Sequence, residues 1–202
     1  MRRLKDIATH RFREKASVFL TELHPAENAE ARAAVLATLR KRDFDATHHS
    51  SAWREGAPIT AFGSDDDGEP SGTAGRPMLA VLEGADLTDL IAVCIRWYGG
   101  TKLGTGGLVR AYTEGVQGAL AEADSLGLWE EIRIVRTGLI RVDLALAHLP
   151  FTLLGAFPEV RVLDQSYEGI EAVLRFECPP ESAAALEAAW QARSRGGAIT
   201  WD

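Results

Sequence analysis

Two glycine-rich loops, each leading into a helical stretch, constrain this chain more than anything else in it. The first runs from Ser64 through Asp65, Asp66, Asp67, Gly68, Glu69, Pro70 and Ser71 to Gly72-Thr73-Ala74-Gly75. The second runs from Arg96-Trp97-Tyr98-Gly99-Gly100-Thr101-Lys102-Leu103 through Gly104-Thr105-Gly106-Gly107 to Leu108-Val109-Arg110-Ala111-Tyr112. Glycine adopts positive φ at little cost and lets a backbone approach a ligand closely. Charged and aromatic groups beside the glycines point to a recognition surface. One loop is acidic and the other basic, so they face each other or serve different partners.

A chain of 202 residues holds one large domain or two small ones. Its net charge of -7, with no basic excess before or after residue 130, disfavours nucleic-acid binding through the bulk field. Only a local basic patch supports such binding. No apolar run has the length of a membrane span. The start, Met1-Arg2-Arg3-Leu4-Lys5-Asp6-Ile7, lacks the apolar core of a secretory signal. The cysteines, Cys94 and Cys178, are far apart, which suits a reducing cytoplasm and gives no zinc site. A cytoplasmic location without a membrane partner is expected.

The periodicities predict strands over 16–23, 46–53, 59–62 and 90–97. The run over 90–97 is apolar throughout, as a strand buried on both faces would be. Helices are expected over 26–42, 76–83 and 107–123. After residue 130 the expected order is a strand over 132–144, a helix over 146–156 and strands over 160–167 and 170–177. A helix over 181–193 and a strand over 198–201 close it. That order is βαββαβ, the ferredoxin-like arrangement. The fold class is α+β, with domains at 1–128 and 129–202.

The second loop fails two phosphate-motif tests. Leu103 follows Lys102 where a P-loop needs Ser or Thr, and Val109 stands where a dinucleotide fingerprint needs its third glycine. A less specific physics remains. A helix N-terminus offers unpaired N–H groups and partial positive charge. Arg96, Lys102 and Arg110 add cations, Gly104, Gly106 and Gly107 allow close approach, and Tyr98, Trp97 and Tyr112 offer rings for stacking. The alternative is a tight loop whose glycines serve packing alone.

The first loop supplies Asp66, Asp67 and Glu69 beside Asp65, and His48 and His49 stand at a strand start. Such carboxylates bind divalent cations in some settings, but the spacing is not that of an EF-hand. An acidic turn paired with arginines or capping a helix is the other reading. Adjacent histidines on a strand point to opposite faces, so only one can join a site. No Gly-x-Ser-x-Gly elbow or His-Glu-x-x-His helix is present, so no catalytic residue, metal or cofactor is assigned.

The segments Asp66–Gly75 and Tyr98–Tyr112, with Asp45-Ala46-Thr47-His48-His49, resemble the signature of the IMPACT/YigZ family over about residues 10–125. Trp97 departs from the Phe/Tyr pair that pattern favours. The resemblance implies a first domain like domain 2 of ribosomal protein five, a fold shared with domain IV of elongation factor G. It implies a second domain like the ferredoxin-like domain V of that factor. Eukaryotic relatives regulate translation initiation through an extra N-terminal domain, for which the roughly 15 residues before the first expected strand leave no room. Two function classes follow. One is a translation-associated or regulatory protein that binds RNA or the ribosome through the basic glycine loop. The other is a metal- or small-molecule-dependent enzyme using the acidic loop and a histidine. A protein partner stays open, and nothing suggests a reader of DNA sequence.

Overall fold

The computed structural model describes residues 1–194 and 197–202. Its strands and helices form two compact units, Met1–Ile132 and Arg133–Asp202. The fold is mixed α+β.

The first unit begins with β1 (Arg2–Leu4), β2 (Ala8–Glu14) and β3 (Ser17–Pro25), followed by α1 (Ala29–Arg42). Then come β4 (His48–Glu55), β5 (Ala61–Asp65), α2 (Gly75–Gly84), β6 (Leu87–Thr88) and β7 (Leu90–Trp97). The helix α3 (Thr105–Ser125) and the strand β8 (Trp129–Glu131) complete it. Five strands make an antiparallel sheet in the order β2-β3-β7-β4-β5.

The apolar run in β7 has a direct cause. Leu90, Ala92 and Cys94 enter a core with α2 and α3, where Met78, Leu82, Tyr112 and Val116 are buried. Ile91, Val93 and Ile95 enter a second core with Leu39, packed by Val35 and Leu36 of α1. The strand is therefore covered on both faces, and each large apolar side chain buried there contributes about 1.5–3 kcal/mol. Asn28 starts α1 by accepting the Ala31 N–H at 2.9 Å, and Arg40, Lys41 and Arg42 favour its C-terminal end.

The second unit contains β9 (Arg136–Asp143), α4 (His148–Leu154), β10 (Arg161–Glu168) and β11 (Glu171–Cys178). It ends with α5 (Ala183–Ser194) and β12 (Thr200–Trp201). The sheet order is β10-β11-β9-β12, antiparallel throughout. Leu174, Phe176, Leu186 and Trp190 lie in its core.

Several boundaries differ from expectation. Two strands, β1 and β2, precede residue 16. Helix α3 starts at Thr105, two residues before the expected Gly107. The helix expected over 146–156 is a 3₁₀ turn at Leu144–Leu146 followed by α4, which ends at Leu154 with Gly155 as its C-cap. The domain boundary expected after residue 128 falls after Ile132, because β8 pairs with β1 (Leu4 opposite Trp129).

Candidate functional site

Register brings the two glycine loops together. His48 on β4 lies opposite Arg96 on β7, and Phe19 on β3 lies opposite Arg96 from the other side. His48, Ser50 and Ala52 alternate onto the α3 side of the sheet, as do Cys94 and Arg96. The acidic loop leaves the end of β5 beside the start of β4, the basic loop leaves the end of β7, and the two line a cleft of about 430 Å³. Thr47, His48, Glu69, Arg96, Tyr98 and Lys102 are among its lining residues, with Leu103, Gly104 and Thr105 at the start of α3.

The floor is a buried polar network. Glu69 is 8% exposed and Arg96 4% exposed. Arg96 Nη1 donates to Glu69 Oε1 at 2.5 Å, and the Tyr112 hydroxyl donates to the same oxygen at 2.8 Å. Arg96 Nη2 donates to Ser17 Oγ at 3.2 Å. The guanidinium carbon of Arg96 also lies 5.3 Å from the ring centroids of both Phe19 and Tyr98. A cation set between two rings and forked to a carboxylate and a hydroxyl suits an arginine and would not suit a lysine. Burial pushes the Tyr112 hydroxyl far above its ordinary range, so it stays a proton donor to Glu69.

Two residues expected to contact nucleic acid or phosphate are therefore corrected. Arg96 is occupied by a buried carboxylate, and Tyr112 is fully buried with its hydroxyl on that carboxylate. Tyr112 presents no surface to a ligand, and Arg96 reaches the cleft with only 4% of the residue exposed. The other residues of that group stay at the surface. Lys102, Gly104, Gly106 and Arg110 are exposed, Gly107 is partly exposed, and Tyr98 is 43% exposed. The N-cap of α3 is Gly104 at φ 75°, and no side chain caps the helix. The first intrahelical bond runs from Leu108 N–H to Gly104 C=O, so the N–H groups of Thr105, Gly106 and Gly107 have no helical partner.

The acidic loop divides its carboxylates. Asp66 accepts the N–H groups of Gly72, Ala74 and Gly75 at 2.6, 3.0 and 2.8 Å, and so ties the loop to the start of α2. Partial burial works to raise its pKa, but the three backbone donors outweigh this and the carboxyl sits below its ordinary value. Asp67 accepts the His49 N–H and a guanidinium hydrogen of Arg40, both at 2.6 Å. His49 faces α1, on the far side of the sheet from the cleft, and burial lowers its pKa. The expected grouping of His48, His49, Asp66, Asp67 and Glu69 therefore reduces to His48 and Glu69 in the cleft, their side chains 3.8 Å apart. Among the described residues no group of three His, Cys, Asp or Glu side chains is placed to hold a metal ion.

Cys94, beneath the network, is fully buried, and burial pushes its thiol up to about 12. A thiol so protonated is no nucleophile near neutral pH. Sequence reasoning missed Thr47, which accepts the Tyr98 N–H at 3.0 Å, and Ser17. No local motif marks either one, because their roles depend on strand register.

Residues 15–120 match the Impact N-terminal domain family, and both glycine loops lie within that match. The chain belongs to this family. It is 48% identical over 110 residues to the IMPACT family member YigZ of Escherichia coli (strain K12), a match covering 54% of each chain. It is 45% identical over 131 residues to an IMPACT family member of Haemophilus influenzae, covering 64% of this chain and 61% of that one. The matched region thus spans less than two thirds of these relatives. A crystal structure of a hypothetical protein is similar over 99% of this chain and 95% of its own, with 32% identity and a TM-score of 0.62. In this IMPACT-family chain, no helix among the described residues is long and apolar enough to cross a membrane.

Proposed function

We propose that this chain is a translation-associated protein of the cytoplasm that binds RNA, on the ribosome or in a structured RNA, through the rim of the cleft. The observation that carries the reading is the uncapped start of α3, flanked by the exposed side chains of Lys102 and Arg110 and the half-exposed ring of Tyr98. Helix N–H groups and cations together suit phosphate, and an exposed ring suits a base. The first unit is read as a relative of domain 2 of ribosomal protein five and of domain IV of elongation factor G. The second is read as ferredoxin-like, in support of which stand its βαββαβ order and antiparallel sheet.

With Arg96 withdrawn from the surface and a net charge of -7, affinity rests on a small patch. Binding is expected to be weak and salt-dependent, with a slope reflecting about two phosphates. The test is a ribosome and RNA binding titration across salt concentration. Replacing Lys102 and Arg110 with Ala should weaken binding and flatten the slope without changing thermal stability. Unchanged binding by the double variant refutes the proposal. A second reading, a small-molecule enzyme in the same cleft, is favoured by the approach of His48 to Glu69. It predicts saturable binding of a small ligand by a chain that ignores RNA.

A further inference from the structure

We infer that a bound single strand of RNA does not end in the cleft but crosses the β2–β3 turn onto the opposite face of the sheet, where Lys15, Arg13 and Arg11 hold its phosphates. The inference rests on the RNA-binding reading and adds a second stretch of contacts away from the rim. Its starting point is Trp97, a ring the cleft does not use. Trp97 lies opposite Val18 and packs against the core under α1, while Arg96 beside it lines the cleft. Neighbouring side chains on a strand take opposite faces, so Trp97 belongs to the α1 face.

On that face the edge strand β2 carries a row of free cations. Arg11 lies opposite Leu20 and Arg13 opposite Val18, so both share the face of Trp97. Both are exposed, and they stand about 7 Å apart along the strand. The guanidinium carbon of Arg11 is 5.9 Å from the Trp97 ring centroid. In the same unit Arg2, Arg3, Arg32, Arg40 and Arg42 each meet a carboxylate. Among the described residues Arg11, Arg13 and Lys15 meet none. The nearby acids are turned away or taken. Glu14 lies opposite Ser17 on the other face, Glu22 is buried against Arg42 and His24, and Asp45 accepts the Trp97 indole N–H at 3.1 Å. In a chain of net charge -7, a row left without counter-charge is complementary to a polyanion.

The turn joins this row to the basic loop. Lys15 Nζ donates to the Lys102 carbonyl oxygen at 3.3 Å, and Gly99 lies against the Ala16 carbonyl, so loop and turn form one end of the sheet. From Lys102 through Lys15 to Arg13 and Arg11 the cations lead from one face to the other. A single strand bends round such an edge, whereas a duplex, stiff over about 150 bp, meets one face only. Rings for its bases stand beside the row. Trp97 is partly exposed, and Phe44, next to Asp45, is 84% exposed. Cations tracking the backbone beside rings that accept any base are the features of single-strand binding.

The test is fluorescence anisotropy of the full chain with end-labelled triuridylate and dodecauridylate across salt concentration. Triuridylate fills the cleft alone and should show the shallow slope of the rim. Dodecauridylate reaches β2, and its slope should be steeper by about 2, for three further phosphates at about 0.7 each. The double variant Arg11→Ala with Arg13→Ala should lower the dodecauridylate slope by about 1.4 and weaken its binding about tenfold. It should leave triuridylate binding and the thermal melt unchanged. Equal slopes for the two oligomers overturn the inference. So does unchanged dodecauridylate binding by this variant while Lys102→Ala with Arg110→Ala still weakens it, and the RNA-binding reading then stands. Displacement of dodecauridylate by polyglutamate as readily as by polyuridylate assigns the row to an acidic protein surface and also overturns it. Binding of neither oligomer, nor of ribosomes, overturns both readings.

Discussion

Glu69 is where the two loops become one site. Its carboxylate is balanced by Arg96 and held by Tyr112 at the floor of the cleft, with 8% of the residue exposed. Removing one member of a buried pair strands the other charge. Glu69→Ala should therefore destabilise the first unit by about 3–5 kcal/mol, measured by urea unfolding. The double variant Glu69→Leu with Arg96→Leu should cost less than the sum of the single changes, since no charge is left unpaired. Asp66 makes a pH-dependent contribution. Its folded pKa is below its unfolded value. Its stabilisation is therefore complete above that value and is lost as pH falls through the folded pKa. Asp66→Asn should lower stability at pH 7 and flatten the acid limb of a stability–pH profile. An unchanged acid limb would show that the three N–H bonds to Asp66 contribute nothing.

At the scale of elements, the glycines of the second loop have separable roles. At Gly99 an added Cβ would overlap the backbone carbonyl of Ala16, which has no flexible side chain to swing away. Gly99→Ala should cost about 1–3 kcal/mol or more. At Gly106, in the first turn of α3, an added Cβ meets only the end of the Arg110 side chain at 3.8 Å. Gly106→Ala should stabilise the helix by about 0.5–1 kcal/mol, read from a thermal melt. The central strand β7 was legible in the sequence because burial on two faces demands an unbroken apolar run. Strand β2 was not, because Ala8–Glu14 is a sheet edge carrying His10, Arg11, Arg13 and Glu14. Charged edge strands resist further pairing, and the same charges blur the alternation that reveals a strand. The loop chemistry was also legible. Its pairing was not, since the contact of Arg96 with Glu69 depends on residues 27 positions apart and on the register of β4 against β7.

Across the whole molecule, the two units have separate cores, with residues 4–123 in one set and 140–199 in the other. A fragment ending at Ile132 should fold cooperatively and keep the RNA binding of the full chain. A fragment ending at Leu128 loses β8, and with it the Trp129 indole that donates to Asp124 at 2.6 Å and stacks under Arg2. Its melting temperature should be lower by at least about 4 °C. A comparison of the two fragments by calorimetry decides this. The double-faced cover of β7 has one more consequence. Amides of Leu90–Ile95 are bonded in a strand with a neighbour on each edge and apolar side chains above and below. Their deuterium uptake requires the whole unit to open, whereas loop amides exchange through small local excursions. Arg96 continues the protected strand, and Tyr98 to Gly104 do not belong to it. A ligand seated in the cleft should therefore slow deuterium uptake along the rim and leave the already protected floor unchanged.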